Sequence, residues 1–160
     1  MDQKDVIKNL MEAAEGAREK AYVPYSDFSV GAALLTEDGE IFTGCNVENM
    51  AYPAGLCAER VALFSAVAAG HRRFAALAVS GGKRGCAPHD YCMPCGMCRQ
   101  ALREFCGPEL DIYVVKSRDQ VKHLTLGDLL PPFTGVQTEL PGVTQVSGVG
   151  QRGWLLLHGE

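Results

Sequence analysis

Three cysteines and one glutamate fall in two short segments of the sequence, CAER from Cys57 and PCGMCRQ, which contains Cys95 and Cys98. Three thiolates can hold one zinc ion, which binds sulfur at roughly 2.3 Å in tetrahedral geometry. Three protein ligands leave the fourth position open, as in catalytic rather than structural zinc sites. Glu59 is too close to Cys57 in sequence to be an obvious fourth ligand, so its carboxylate is a candidate for moving protons beside the metal.

Both segments are predicted to begin helices. CAERVALFSAVAAG ends at Gly70, a residue typical of helix C-terminal caps, and CGMCRQALREFCG also ends at a glycine. A helix N-terminus favours negative charge and lowers the pKa of a thiol. Cys95 and Cys98 lie one turn apart and therefore on one helix face. Spacing alone explains Glu59 equally well as a first-turn glutamate that suits the helix dipole.

The remaining segments predict the elements that position these residues. A helix is expected from Asp5 to Tyr22, ended by Pro24, and then a hairpin of two strands with its turn at Asp38-Gly39. FAALAVSGG and DIYVVKS read as further strands, and TLGDLLP as a short helix ended by Pro131. The order α-β-β-α-β-α-β-α predicts an α/β fold, a three-layer α/β/α sandwich with a mixed central sheet.

Length and composition narrow the class of protein. The 160 residues suit one domain, and the net charge of -4 argues against a broad nucleic-acid-binding face. The polar start MDQKDVIKNL does not resemble a signal peptide, and no apolar run has the length of a membrane span. We therefore expect a cytoplasmic protein with neither nucleic acid nor membrane as a partner. In that setting the seven cysteines favour metal or catalytic use over disulfides.

The segments CAE and PCGMCRQ resemble the zinc-dependent deaminases, whose signature is a ligand-x-Glu followed by Pro-Cys-x-x-Cys. The closer resemblance is to the cytidine deaminases with three cysteine ligands. It is carried by YVPYSDFSVGAALLTEDGEIFTGCNVEN, CAER, PCGMCRQALREF and LLP, and covers most of residues 22–131. The resemblance implies a cytidine deaminase-like fold, one zinc ion per chain and a homotetramer with shared active sites. It also implies hydrolytic deamination of cytidine and 2'-deoxycytidine to uridine and 2'-deoxyuridine with release of ammonia, a reaction of pyrimidine salvage.

The same resemblance implies roles around the metal. Cys57, Cys95 and Cys98 match the zinc ligands, and Glu59 matches the proton shuttle. Zinc with three thiolates carries a net negative charge, which opposes activation of a bound water. Arg60 matches the arginine that is thought to offset this charge by donating to sulfur.

Residues implied to contact substrate lie in three segments, and they are Phe28, Asn46, Val47, Glu48 and Ala58. Asn46 and Glu48 match the pair that holds a ribose hydroxyl; alternate strand positions point to one side and offer donors and acceptors to a diol. The Phe28 ring matches an aromatic that packs on the pyrimidine, although without the resemblance packing at a strand edge is the commoner role. The backbone of Val47 lies between the ribose pair, and the backbone of Ala58 and Cys95 matches contacts with the base.

Two parts of the chain depart from the family pattern. The segment Gly81–Cys92 is longer than usual and adds Cys86, His89 and Cys92, so that Cys92 and Cys95 form a rival C-x-x-C register. The proline before Cys95 and the RQ after Cys98 match the family only in the first register. We expect the added residues to form a surface loop near the site or at a subunit contact.

The second departure follows LLP. Phe133 is the candidate for a residue that reaches the active site of a neighbouring subunit, one position earlier than in relatives. The expected division is a catalytic domain at residues 1–133 and a C-terminal tail at 134–160.

Three other functions are compatible with parts of the pattern. A deaminase of the same fold acting on a modified cytosine nucleoside or an aminopyrimidine antibiotic would be expected to lack the NVEN pair, which is present here. A structural-zinc binding module requires a fourth ligand, for which Cys92 is the nearby candidate. A thioredoxin-like redox protein would use one C-x-x-C and leaves CAER without a role.

Overall fold

The structure is a computed structural model that describes residues 3–131. Five strands form one mixed sheet in the order β2-β1-β3-β4-β5, and they are β1 (Phe28–Thr36), β2 (Ile41–Cys45), β3 (Phe74–Lys83), β4 (Asp111–Ser117) and β5 (Gln120–Thr125). Strand β1 is antiparallel to both β2 and β3, β3 is parallel to β4, and β4 is antiparallel to β5.

Four α-helices accompany the sheet in this part of the chain, and they are α1 (Gln3–Ala17), α2 (Ala58–Ala68), α3 (Gly96–Phe105) and α4 (Leu126–Leu129). Single 3-10 turns lie at Arg18–Lys20 and Tyr52–Ala54. None of the helices within residues 3–131 is long and apolar enough to cross a bilayer.

The helices cover the two faces of the sheet. Helix α1 buries Leu10 and Ala14 against one face, where Ala33 of β1 and Ala78 of β3 point. Helices α2 and α3 pack on the opposite face, on side chains that alternate with the first set, among them Leu77. Because both faces are covered, β1 and β3 are nearly continuous apolar runs rather than alternating ones. The predicted three-layer α/β/α sandwich with a mixed sheet is confirmed.

The predicted connections are also present. The β1–β2 hairpin turns at Asp38-Gly39, where Gly39 has a φ of 98°. Helix α3 joins the parallel strands β3 and β4, which is the predicted crossover. Helix α1 is shorter than predicted, because the chain tightens into a 3-10 turn after Ala17 and then runs extended, with Tyr22 bridged to Val47.

Strand β5 was absent from the predicted order. Its sequence, QVKHLT, is mostly polar, and none of its residues is fully buried. It is the edge strand beside β4 and is held by main-chain pairing, such as Tyr113 opposite His123. An edge strand without a buried face has no hydrophobic periodicity by which sequence could reveal it.

Close contact between α2 and β2 fixes the start of α2. Gly44 in β2 faces the helix backbone, and a methyl group there would meet the carbonyl oxygen of Ala58 and the nitrogen of Ala62, the latter at 2.5 Å. Only a residue without a side chain lets α2 approach this closely. The positions of Cys57 and Glu59 therefore depend on the absence of a side chain at Gly44 in the sheet beneath α2.

We predict that Gly44→Ala destabilises the protein by about 1–3 kcal/mol, the usual effect of overpacking a core. The matched control is Gly16→Ala in α1, where nothing lies within 4 Å of the added methyl group. That change should stabilise by about 0.5–1 kcal/mol, because alanine loses less conformational entropy than glycine in a helix. Urea unfolding measures both, and equal effects of the two substitutions would contradict the close approach.

Candidate active site

Two helix starts meet at the predicted cysteines. Cys57 is the N-cap residue of α2 and Cys95 that of α3, each with extended backbone and without a side-chain capping bond. Cys98 follows in the first turn of α3 and is fully buried. The amide N–H groups of two first turns therefore lack helical acceptors and favour negative charge at the sulfurs.

The three sulfurs are arranged as a metal site requires. Cys95 Sγ lies 3.7 Å from Cys57 Sγ and 3.5 Å from Cys98 Sγ, and all three lie within 4.8 Å of one another. A tetrahedral zinc with Zn–S bonds of roughly 2.3 Å places its sulfurs about 3.8 Å apart. The donors are all soft thiols, a set that suits zinc. The cluster therefore fits one zinc ion without rearrangement of the backbone.

Electrostatics in the cluster already favour a thiolate. The thiol of Cys98 and the guanidinium of Arg60 donate to Cys57, and they lower the pKa of Cys57 to about 5 although burial opposes the shift. Arg60 Nη2 lies 3.6 Å from Cys57 Sγ. The pKa of Cys98 is raised, because its hydrogen bond to Cys57 holds its proton and because it is buried. One negative charge is thus present at the position where a cation would bind.

Glu59 lies in the first turn of α2 beside these sulfurs, with 4% of its surface exposed. Burial raises the pKa of its carboxyl group, and the charge on Cys57 raises it further. A raised pKa makes a carboxylate a better proton acceptor, which is the property of a general base. This buried position beside the sulfurs favours a chemical role for Glu59 over the helix-dipole effect, which spacing alone had left equally possible.

A cleft of about 440 Å³ opens onto the sulfurs and Glu59. One wall is the segment after β2, with Asn46, Val47 and Glu48, and the floor is the start of α2 with Ala58. The volume is in the range of small-molecule sites. The structure thus brings most of the predicted substrate residues to the same cleft as the predicted metal site.

Asn46 links this wall to β1. Its Oδ1 accepts from the Val30 N–H at 2.8 Å, and its Nδ2 donates to the Phe28 carbonyl at 2.9 Å. These bonds extend the β1–β2 pairing beyond the end of β2. An amide nitrogen carries two hydrogens, so Asn46 retains one donor for a ligand in the cleft.

Glu48 holds the loop that precedes β1. Its Oε1 accepts from the amide N–H groups of Tyr25 at 3.1 Å and Ser26 at 3.2 Å. A carboxylate has two oxygens that each accept hydrogen bonds. Each carboxylate oxygen accepts more than one hydrogen bond, so Glu48 retains acceptor capacity for a ligand in the cleft.

The other predicted contacts divide into two groups. Val47 uses its N–H and C=O to pair with Leu56, both at 3.0 Å, so only its side chain faces the cleft. Ala58 is fully buried at the start of α2 and lines the cleft. Phe28 begins β1 with 42% of its surface exposed and is not among the described residues that line the cleft, so its contact with a base stays a prediction. Phe133 lies outside the described residues.

Sequence reasoning missed Arg99, which braces the metal-binding segment. Its Nε donates to the carbonyl of Pro94 at 2.7 Å, and its Nη1 donates to the carbonyl of Leu129 at 2.6 Å. The guanidinium thus fastens the residue before Cys95 to the LLP segment. Arg99 is the first residue of the RQ pair that follows Cys98 in the family pattern. Its acceptor, the Leu129 carbonyl, lies thirty positions away in sequence, so the contact becomes visible only in the fold.

The rival register is not supported. Among the described residues the sulfur cluster has three members, and Cys92 is not one of them. Cys92 instead lines the cleft, and Cys86 is exposed. A structural-zinc module, which needs a fourth ligand, therefore gains no support from Cys92.

A second group within residues 3–131, composed of Asp38, Glu40 and His71, also has the residue types of a metal site. Asp38 lies 3.6 Å from His71 Nδ1, while Glu40 lies 3.5 Å from His71 Nε2. The carboxylates therefore face different ring nitrogens, an arrangement of ion pairs rather than of ligands around one ion. This group joins the β1–β2 turn to the segment after α2, away from the cleft.

Comparisons with known proteins agree with this site. Residues 4–114 match the family model described as the cytidine and deoxycytidylate deaminase zinc-binding region. The chain is 46% identical over 125 residues to a cytidine deaminase of Sporosarcina psychrophila, covering 78% of this chain and 88% of that protein. It is 44% identical over 133 residues to the cytidine deaminase of Mycobacterium tuberculosis, covering 83% and 89%.

Solved structures give the same result. The crystal structure of a cytidine deaminase from Burkholderia pseudomallei matches with a TM-score of 0.71 and 50% identity, covering 82% of this chain and 98% of that one. The cytidine deaminase of Mycobacterium tuberculosis matches with a TM-score of 0.67 and 42% identity, covering 81% and 98%. With its zinc-type cysteine cluster and its matching fold, the chain belongs to the cytidine and deoxycytidylate deaminase family.

Proposed function

We propose that this protein is a zinc-dependent enzyme that hydrolyses cytidine and 2'-deoxycytidine to uridine and 2'-deoxyuridine, releasing ammonia. The observation that carries the proposal is the buried Glu59 beside three clustered sulfurs, at the floor of a cleft of nucleoside size. Relatives that share nearly half of their residues with this chain bear the name cytidine deaminase. The reaction returns cytosine nucleosides to the uridine pool, which is pyrimidine salvage.

In this proposal Cys57, Cys95 and Cys98 hold one zinc ion per chain. When bound, zinc supplies a positive charge that makes a water molecule acidic enough to act as a nucleophile at neutral pH. Arg60, 3.6 Å from Cys57 Sγ, offsets part of the negative charge of the three thiolates. Loss of that guanidinium should weaken activity more than folding.

Glu59 performs the proton transfers. Its carboxylate accepts a proton from the attacking water and delivers it to N3 of the base. It then accepts the second proton, from the hydroxyl group formed on C4, and delivers it to the amino group, so that the C4–N bond breaks and the C4 carbonyl forms. Water and cytidine are consumed, and uridine and ammonia are formed. Burial raises the pKa of this carboxyl group, which makes the carboxylate a better proton acceptor for the first half of the cycle.

The rest of the cleft orients the nucleoside. The remaining hydrogen of Asn46 Nδ2 and the remaining acceptor capacity of the Glu48 carboxylate offer a donor and an acceptor to a ribose hydroxyl. The base lies toward α2, against the side chain of Val47 and the backbone of Ala58 and Cys95, with the ring of Phe28 as its proposed aromatic neighbour. A polar pair suited to ribose supports a nucleoside substrate over a free aminopyrimidine.

We predict one zinc ion per chain in the purified protein. Cys98→Ser should lose most of it, because three thiolates are the minimum set that the cluster offers. Cys92→Ser and Cys86→Ser are matched controls in the adjacent loop and should retain the metal. Elemental analysis by mass spectrometry measures all four proteins, and loss of zinc from Cys92→Ser with retention in Cys98→Ser would reverse the ligand assignment.

We predict that Glu59→Gln keeps the zinc and the fold but loses deamination by about 10⁴ or more, above the usual range for general acid–base catalysis because one group serves several transfers. Glutamine has nearly the same shape but cannot accept and return a proton. The exposed Glu104 of α3 gives the control Glu104→Gln, which should match the wild type. Loss of cytidine absorbance measures turnover. Wild-type protein that holds zinc yet leaves cytidine unchanged would overturn the proposed function.

Assembly into a homotetramer with shared active sites is supported by exposed apolar side chains in the segments that line the cleft. Met50 is 84% exposed and Tyr52 is 81% exposed, and Tyr25, which lines the cleft with Tyr52, is 54% exposed. Exposed apolar patches of this kind mark protein interfaces. In the proposal Phe133 of one subunit reaches the cleft of a neighbour, at the end of a catalytic domain of residues 1–133 that is followed by a tail of residues 134–160.

Shared sites predict complementation between two defective variants. Glu59→Gln lacks the proton shuttle, and Phe133→Ala lacks the residue given to the neighbour. Co-expressed, they form mixed assemblies in which an intact Glu59 meets an intact Phe133 from the next subunit. Deamination should then exceed the mean of the two separate preparations, and sedimentation should report four chains. Activity equal to that mean would argue that each site is complete in one chain.

A cytoplasmic location is consistent with the chemistry of the cysteines. All seven are free thiols, and free thiols persist in reducing compartments. The three that form the cluster must stay reduced to hold zinc. An oxidising compartment would compete with metal binding.

A further inference from the structure

The segment after β3, residues 84–92, folds back onto the end of that strand. A methyl group on Gly82 would approach Pro88 of this segment to 2.9 Å, and one on Gly81 would approach Cys92 Sγ to 2.6 Å. Successive residues of a strand point to opposite faces, so the segment contacts one face of β3 at Gly82 and the other face at Gly81. The inserted residues are in contact with the sheet rather than extended from it.

Several interactions fasten the segment in place. Arg18 donates from Nε to the Ser29 carbonyl at 3.3 Å and from Nη2 to the Cys86 carbonyl at 3.1 Å. The Arg84 guanidinium lies 2.8 Å from Asp27. Near its end, the ring of Tyr91 lies 4.3 Å below the ammonium group of Lys122 in β5. The segment is thus attached to the 3-10 turn at Arg18, to the residue before β1 and to β5, and Cys92 follows directly after the anchored Tyr91.

That last residue, Cys92, forms part of the cleft wall. Its side chain lies between Gly81 and the cavity, beside Val30, and both Cys92 and Val30 line the cleft. Burial and the neighbouring carboxylate of Glu59 raise the pKa of Cys92 to about 11. The thiol is therefore neutral at physiological pH and acts as a small, weakly polar surface.

The position of Cys92 along the cleft determines which part of a bound nucleoside lies next to it. Cys92 lines the cleft together with Glu59, Cys57 and Cys95 of the reactive end, and the charges of these three residues act on its thiol, as does that of Arg18. Asn46 and Glu48 lie on the segment after β2. The carbon that undergoes deamination must lie at the reactive end. The parts of the base adjacent to that carbon, C5 and the exocyclic nitrogen, are then the parts closest to this wall.

From this geometry we infer that Cys92 is a specificity-determining residue that limits the size of substituents on C5 or the exocyclic nitrogen of a cytosine nucleoside. The inference rests on the proposed function. The sulfur fills the space between the bare backbone of Gly81 and the cleft, and its volume resembles that of a methyl group. Removing it opens room for about one methyl group, while a larger side chain closes that room.

The test compares kcat/KM for cytidine, 5-methylcytidine and N4-methylcytidine, with zinc content measured on each protein. Cys92→Ala should raise the ratio of at least one methylated substrate to cytidine by about tenfold, the lower end of what one methylene contributes in a fitted pocket. Cys92→Leu should lower the same ratio. Cys92→Ser preserves the shape and should keep the ratio within about twofold of wild type.

Cys86→Ser changes an exposed cysteine of the same segment and controls for general effects of altering it. Ratios for both methylated substrates that stay within about twofold of wild type in Cys92→Ala and Cys92→Leu would overturn the inference. Such a result, obtained while wild-type protein deaminates cytidine, would leave the proposed function intact. Failure of the wild type on cytidine would instead overturn both.

Discussion

The convergence of two helix N-termini on three sulfurs is the constraint on which the rest of the structure depends. Three thiolates within 4.8 Å repel one another unless positive charge is supplied. The first turns of α2 and α3 supply part of it through their unpaired N–H groups, and Arg60 supplies more. A bound dication would supply the remainder. The helix N–H groups and Arg60 therefore already stabilise negative charge on the sulfurs when no metal is bound.

Bringing two helices to one point requires support from distant parts of the chain. Gly44 lets α2 lie against β2, and Arg99 fastens the segment before α3 to the LLP turn. With the helices held, Glu59 is buried beside the sulfurs without being one of the ligands. Its raised pKa is thus a consequence of how the layers pack, and the chemistry that we propose follows from that packing.

Local patterns in the sequence predicted the parts of the fold that local physics determines. The helix starts at Cys57 and Cys95, the hairpin at Gly39 and the apolar strands were all confirmed, because capping, turn conformation and periodicity act over a few residues. Strand β5 was missed because its order comes from pairing with β4. The contact of Arg99 with the Leu129 carbonyl was missed because it depends on how α3 and α4 pack in the folded chain.

Glycine has the same use in three strands of the sheet: its lack of a side chain lets a neighbouring segment pack closely. At Gly31 an added methyl group would collide with the carbonyl of Ala14 in α1, at Gly44 with the start of α2, and at Gly81 with Cys92. Each glycine lies in a different strand and receives a different neighbour: a helix on one face, a helix on the other, and an inserted segment at the strand end. Two of these contacts hold the scaffold. The third faces the cleft, so the inserted segment can alter which nucleosides fit without altering how the metal site is held.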